Sequence, residues 1–474
     1  MSDGTTERGQ WGSRLGFVLA AAGSAVGLGN MWKFPYITGE NGGGAFVLVY
    51  LVCILVVGLP IMVAEVLLGK MTQKSPVGAF SDLAPKSPWV GVGWLGVAAG
   101  FVILSYYSVV AGWAMHYVYL SLSGAFANVP PGQIESVGER FGALYGSWEL
   151  NIFWHTLFMV LTVGIVLWGI QKGVERAARI LMPTLLGMLA LIVLYGTTLP
   201  GFDEAFDFVF GLHTEELHAA GVLEALGHSF FTLSVGMGAM LTYGSYMKRD
   251  EDVVNTSIAI SLLDTLVALM ACLALFPITF TYGMEASAGP GLVFQNMPTA
   301  FAQLPGGSVW AAIFFVLLTF AALTSAISLL EVVASYFIDQ QGWPRPMAVG
   351  VTGGVIFLVG IPSALSGGTE VFGDGFASVT EVLFGEDQGK NWFDLLDYLA
   401  SNWMLPLGGL GIALFVSWRI DRLERAHAVA DGSILGGVLP LYLGWLQALR
   451  IFVPVAIVLV MLHALGVLSA LGIE

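Results

Sequence analysis

Charge is scarce in this sequence. Only 11% of its 474 residues are Asp, Glu, Lys or Arg, whereas a soluble globular domain carries about 25%. Together with a 56% hydrophobic content and a mean hydropathy of +0.80, that scarcity excludes an ordinary water-soluble fold and indicates a membrane protein. Cysteine is nearly absent: Cys53 and Cys272 are the two, both within apolar runs, so no disulfide framework is expected. Positive charge is short as well, with 18 Lys and Arg against 33 Asp and Glu and a net charge of −15. A basic patch for nucleic acid is therefore missing. Also missing are the alternating segments of about ten residues that build a membrane barrel.

Long apolar runs are what the sequence has instead. A helix crossing the hydrocarbon core needs about 20 apolar residues. Eleven such spans are read, near 12–37, 44–69, 89–122, 150–169, 175–199, 224–247, 253–283, 307–338, 346–366, 395–418 and 446–472. The fold class is all-α. With the N-terminus in the cytoplasm, all of the 18 Lys and Arg except Lys33, Arg140 and Lys390 fall inside, which is the bias that orients membrane proteins. The odd number of spans then places the C-terminus outside. Much of the acidic excess lies in outside loops, for example Asp203, Glu204 and Asp207. The first apolar run continues directly into a full span, so it is read as a helix and not as a cleaved signal.

Two segments resemble each other. Val26-Gly27-Leu28-Gly29 in span 1 and Val235-Gly236-Met237-Gly238 in span 6 place the same V-G-x-G core at mid-membrane, five spans apart. Five is odd, so two such halves have opposite topology. Matched glycine interruptions in inverted halves point to a transport site. Each glycine costs a helix about 1 kcal/mol, and unwound backbone is tolerated at this depth only around a cavity. Such a cavity offers carbonyls to a cation and N–H groups to a carboxylate. Close helix packing is the competing reading, because Gly23-x-x-x-Gly27 is also a small-residue packing motif.

Longer motifs extend this pattern: W-x-x-R-L-G-F from Trp11, G-S-A-V-G-L-G-N-M-W-K-F-P-Y from Gly23, E-N-G-G-G-A-F from Glu40, S-Y-Y from Ser105, F-F-T-L-S-V-G-M-G from Phe230 and A-A-L-T-S from Ala321. On these the chain resembles the neurotransmitter:sodium symporter family, in its bacterial hydrophobic amino acid transporter branch. The resemblance implies a cytoplasmic tail (1–10), two inverted five-helix repeats (11–200 and 201–420) with spans 1 and 6 broken, and a closing segment with span 11 (421–474). It also implies inner-membrane sodium-coupled symport of an L-amino acid by alternating access, with a single copy sufficing.

The family's two sodium sites carry over residue by residue. The first falls on the Ala25 carbonyl, Asn30, Thr232 and Asp264. The second falls on the Gly23, Val26 and Ala321 carbonyls with Thr324 and Ser325. Ala321, Thr324 and Ser325 share one helix face at i, i+3 and i+4, and hard cations prefer such oxygen ligands. Hydroxyls bonded back to the preceding turn are the ordinary alternative for Thr324 and Ser325. Asp264 departs from the family's usual neutral residue. An ionised Asp in mid-span costs about 2.5–3.5 kcal/mol on insertion scales, which a neighbouring sodium would offset. Because Asp264 could supply the charge that chloride supplies in some relatives, and Ala268 lacks a hydroxyl, chloride independence is expected. His228 stands where the family usually has Gln; an ordinary hydrogen-bonded His is the simplest reading.

The substrate carboxylate is expected at Leu28, Gly29 and Tyr107. Its ammonium group would face Ser24, Ala25, Phe231 and Ser234, with Ser325 nearby. Gly27 stands where amine-transporting members carry Asp, which favours an amino acid. Ile103, Phe231, Met237, Ala326 and Leu329 would form an uncharged side-chain wall, favouring a hydrophobic substrate. Lys33 and Asp397 are expected as an outer gate, although Lys33 could also reach the interface alone. Arg8, Trp11, Tyr246 and Asp339 are expected as an inner gate. Gly173 and Pro183 match a family element that unwinds in span 5, and a cap followed by a kink is the plain alternative. Glu65 and Glu331 are further acids within spans, assigned to hydrogen bonding or to the inner water path.

Four other functions compete with this reading. A channel needs a filter-like repeat of carbonyls or charges, which the sequence does not show. For an intramembrane enzyme, His116, His155 and His463 are scattered without recognisable partners. A transport-deficient sensor would have lost the sodium ligands. Transport of a small polar amino acid or osmolyte remains the alternative within the family.

Overall fold

The computed structural model describes residues 9–127, 129–130, 135–212, 214, 217–284, 292–385 and 389–470. Among them there are helices and turns and no strand. Nine continuous helices are long and apolar enough to cross a membrane. They are span 2 (Gly44–Thr72), span 3 (Val90–Leu122), span 4 (Trp148–Leu167), span 5 (Ile170–Gly196), span 7 (Val253–Thr281), span 8 (Gly307–Gln341), span 9 (Arg345–Leu365), span 10 (Trp392–Arg419) and span 11 (Leu439–Ala464). Span 1 is the pair Arg14–Ala25 and Gly29–Glu40, bent by 51°. Span 6 is likewise two pieces, Ala219–Thr232 and Ala239–Gly244.

Local chemistry sets several of these ends. The Ser13 hydroxyl accepts the Gly16 N–H at the start of span 1, and the Asp252 carboxylate accepts the Asn255 N–H at the start of span 7. Both are N-caps for otherwise orphaned donors. Span 11 starts at Leu439, several residues before the sequence expectation. Pro440 sits in its first turn, where a missing N–H costs nothing. Short helices also fill stretches read from sequence as loops, including Pro76–Leu83, Asp374–Phe384 and Arg422–Ala430.

Spans 3 and 8 each have 78% of their most apolar window buried, against 28% for span 5. The first two therefore form the middle of the bundle and the third faces lipid. The interruptions fall where the glycines predict. Val26 turns extended at ψ 93. In span 6, Ser234, Gly236 and Gly238 all take positive φ (51, 88 and 73), a region open to glycine and costly for most other residues. A Cβ on Gly236 would also run into the Leu405 carbonyl, so glycine is required there twice over.

Candidate functional site

The two interruptions face each other across spans 3 and 8 and enclose a small cavity of about 30 Å³, roughly the space of one water. Its lining comprises Ser24, Ala25, Gly27, Leu28, Gly29, Tyr107, Ser234 and Ser325, which offer backbone or hydroxyl groups, and the apolar side chains of Ile103, Phe231, Met237 and Leu329. Of the expected substrate residues only Ala326 is not on the wall. Ser325 and Leu329 lie at i and i+4 and face the cavity, while one residue further along the helix is turned by about 100°. Ala326 is accordingly buried in the surrounding core.

Side chains satisfy the break in span 1. The Leu28 N–H donates to the Tyr107 hydroxyl (3.2 Å) and the Gly27 N–H to Asn30 Oδ1 (3.1 Å). The Ser24 carbonyl accepts the hydroxyls of Ser234 (2.8 Å) and Ser325 (3.1 Å), while the Ser24 hydroxyl donates to Ser328 (2.6 Å). A Cβ on Gly27 would sit 2.6 Å from Ser325 Oγ and 3.1 Å from the Tyr107 hydroxyl. Any side chain there would invade the cavity.

The side chains expected at the first sodium site converge. Asn30 Nδ2 donates to Asp264 Oδ1 (2.7 Å) and to Thr232 Oγ1 (3.1 Å), and the Thr232 hydroxyl donates to Asp264 Oδ2 (3.0 Å). All three are buried. Asp264 has no ion-pair partner among the described residues, so the cluster offers a carboxylate to a cation. At the second site, a Cβ on Gly23 would come within 3.2 Å of both Met182 and Thr324, so spans 1, 5 and 8 meet there. The Thr324 hydroxyl donates back to the carbonyls of Phe320 (3.1 Å) and Ala321 (3.0 Å), the ordinary helical arrangement. The Val26 N–H donates to Ala22 (2.7 Å).

Leu28, Gly29, Tyr107 and Phe231 line this cavity and also a vestibule of about 150 Å³ beyond it. A thin wall, with the Phe231 and Tyr107 rings in it, separates the two spaces. Lys33 and Asp397 both line the vestibule, but they form no ion pair. Lys33 Nζ lies 5.4 Å from the Phe231 ring centroid, and Asp397 accepts the hydroxyls of Tyr106 (2.9 Å) and Ser401 (3.2 Å). The expected outer pair is open, and both hydroxyls fall on one oxygen of the carboxylate, Oδ1.

The opposite side is shut. Trp11 is 2% exposed; its Nε1 donates to the Tyr243 carbonyl (2.9 Å) and its N–H to the Tyr246 carbonyl (3.1 Å). The Tyr246 hydroxyl donates to Glu331 (2.6 Å), which is ion-paired with Arg345. Asp339 accepts the Ser75 N–H (2.7 Å), and Arg8 lies outside the described residues. Span 5 is helical through both Gly173 and Pro183, starting with a π turn over Ile170–Glu175.

Sequence reasoning missed Glu175 here, whereas Glu65 takes the hydrogen-bonding role expected of it. Glu65 of span 2 accepts the Gly236 N–H (2.5 Å) and the Leu241 N–H (3.3 Å), bracing the break in span 6. Glu175 accepts the Gly12 N–H (2.7 Å) and pairs with Arg179 (2.5 Å), pinning the start of span 1 to span 5. An acid within a span is the signal that pointed to hydrogen bonding by Glu65; Glu175, at the start of span 5, carried no such signal. His228 has no hydrogen-bond partner on either ring nitrogen. It stacks on Phe34 with ring centroids 5.7 Å apart, so the expected hydrogen bond is not made.

An all-helical bundle with two facing interruptions and a buried carboxylate cluster beside a closed cavity defines a membrane transporter of the broken-helix type. The chain belongs to the sodium:neurotransmitter symporter family, whose model matches residues 8–130 and 139–467. It is 39% identical over 465 residues to the uncharacterized sodium-dependent transporter YhdH of Bacillus subtilis, covering 97% of this chain and 98% of that one. It is 28% identical to the human sodium- and chloride-dependent GABA transporter 2, over 78% of this chain and 69% of the other. Among solved structures, the crystal structure of MhsT in complex with L-phenylalanine superposes with a TM-score of 0.85 at 42% identity, covering 96% of this chain and all of that one.

Proposed function

We propose that this protein couples the sodium gradient to uptake of a hydrophobic L-amino acid, aliphatic to aromatic, without chloride. The observation that carries the reading is the cavity between the two interruptions. Its lining combines backbone and hydroxyl groups with apolar side chains and no charged one, and the cluster of Asn30, Thr232 and Asp264 is tied to it through the Gly27 N–H. The similarity to MhsT, whose structure holds L-phenylalanine, supports the same substrate class.

In this reading one sodium takes the Ala25 carbonyl, Asn30, Thr232 and Asp264. A second takes the carbonyls of Gly23, Val26 and Ala321 with Thr324 and Ser325, once the Thr324 hydroxyl turns its lone pairs inward. The substrate carboxylate meets the Leu28–Gly29 N–H groups and Tyr107, displacing the present Leu28–Tyr107 bond. The cavity must widen to hold a side chain, and Met237 and Phe231 are the adaptable parts of its wall. Lys33 and Asp397 close over the filled site. Release to the cytoplasm then requires Trp11 to leave its seat and the Gly173–Pro183 stretch to loosen. The N-terminus is cytoplasmic, the membrane is the inner membrane, and one copy suffices.

The test is uptake of labelled leucine and tryptophan into proteoliposomes under an inward sodium gradient, with gluconate in place of chloride. Concentrative uptake that survives gluconate and is lost in Asp264→Ala is expected. Uptake indifferent to sodium would overturn the proposal, and uptake requiring chloride would overturn the role given to Asp264.

A further inference from the structure

Two depressions follow one another along span 2, away from the transport path. The first is a groove of about 420 Å³ between span 2, at Leu59 and Val63, and span 11, at Leu441, Gly444, Trp445 and Phe452. Trp445 Nε1 donates to the Pro60 carbonyl (3.0 Å) and fixes the seam. Leu441 and Phe452 are 53% and 56% exposed, so the groove opens toward lipid. The second is a pocket of about 490 Å³ with Lys70, Arg249, Glu424, His427 and Asp431 on its walls. Val429 lines the groove while Ala428 and Ala430 line the pocket, so the helix Arg422–Ala430 forms a wall of both. From Val63 to Lys70 span 2 rises about 10 Å. That is enough to leave the hydrocarbon and cross a headgroup layer roughly 5–8 Å deep.

The charges in the pocket are unevenly committed. Lys70 is 4% exposed; its ammonium donates to the carbonyls of Glu251 (2.7 Å) and Asp431 (3.1 Å) and lies 4.0 Å from the Asp431 carboxylate. Arg249 and Glu424 are exposed and form no ion pair among the described residues. The mouth of the pocket therefore presents one available cation and one available anion.

We infer that groove and pocket together form a binding site for phosphatidylethanolamine of the cytoplasmic leaflet. The acyl chain lies between spans 2 and 11, the phosphate meets Arg249, and the primary ammonium donates to Glu424. Phosphatidylglycerol carries the same phosphate but a neutral glycerol, so nothing cationic meets the carboxylates of Glu424 and Asp431. Phosphatidylcholine has no N–H to donate. The inference rests on the cytoplasmic assignment of these loops and not on the identity of the transported substrate.

Native mass spectrometry of the purified protein with equimolar phosphatidylethanolamine, phosphatidylglycerol and phosphatidylcholine of one acyl composition tests it. Phosphatidylethanolamine is expected to be retained about fivefold over either competitor, the discrimination one partly exposed charge pair provides. The double variant Arg249→Gln with Glu424→Gln is expected to bring the three to parity. Gly444 lines the groove and a Cβ there meets nothing within 4 Å, so Gly444→Phe adds bulk at the groove wall and is expected to lower retention of all three lipids. Equal retention in the unaltered protein, a preference for phosphatidylglycerol, or a phosphatidylethanolamine preference that survives the double variant would each overturn the site. Sodium-dependent leucine binding by the same samples reports on the transport reading separately.

Discussion

Replacing Trp11 with alanine tests how the inner side is held shut. The indole is almost completely buried, with ring centroids 5.6, 5.2 and 6.2 Å from those of Phe17, Tyr243 and Tyr246. Truncating a buried aromatic to alanine costs about 3–5 kcal/mol. Only the part of that contact which opening breaks biases the equilibrium between shut and open. If opening exposes the whole ring, the open population rises about 10²- to 5 × 10³-fold; if it exposes half, the rise is about ten- to seventyfold. Trp11→Phe keeps the ring contacts and loses the Nε1 bond to Tyr243, about 1 kcal/mol, or roughly fivefold. Hydrogen exchange of residues 9–25 reads this opening directly. Apparent leucine affinity should weaken by the factor by which the binding-competent population falls. The expected order of exchange rates is alanine, then phenylalanine, then wild type. Unchanged exchange in a folded Trp11→Ala protein would refute the assignment of Trp11 as the element that holds the inner side.

Three further outcomes are expected. Gly27→Ala puts a methyl 2.6 Å from Ser325 Oγ and against the Tyr107 hydroxyl, so leucine binding should weaken about tenfold or more while thermal stability changes little; isothermal titration checks this. Asp264→Asn keeps the shape of the cluster and removes its charge. A unit charge close to a cation is worth up to about 4 kcal/mol at an effective dielectric of 20, so the sodium concentration for half-maximal leucine binding in gluconate should rise at least tenfold. Glu65→Gln weakens charge-assisted bonds to Gly236 and Leu241, each worth about 1.5–3 kcal/mol, and should lower the melting temperature without abolishing sodium dependence.

Much of this architecture was legible in the sequence because lipid restricts it so strongly. Spans announce themselves as apolar runs, and interruptions must be matched by a cavity. The cavity wall was readable because the motifs fix both the chain position and the helix face. Ala326 is not on the wall of the present cavity because adjacency in sequence turns it off the face that Ser325 and Leu329 share. What was not legible depends on which of several partners a side chain takes. Nothing in the sequence says that Asp397 is held by Tyr106 and Ser401 in preference to Lys33, or that Glu175 reaches the first turn of span 1. The short helices between spans escaped because isolated segments of that length carry weak helical signals.

The two interruptions are related by topology but not by what restrains them. In span 1 the freed backbone groups bond to Asn30, Tyr107, Ser234 and Ser325, the residues that would have to change partners when cargo arrives. In span 6 the freed N–H groups of Gly236 and Leu241 bond to Glu65 of span 2, a carboxylate outside the cavity. On the proposed reading, loading the site would loosen one hinge and leave the other clamped. A bundle assembled from mirrored halves consequently has a preferred moving part, the inner piece of span 1, and a stator, the unit formed by span 2 and the inner piece of span 6.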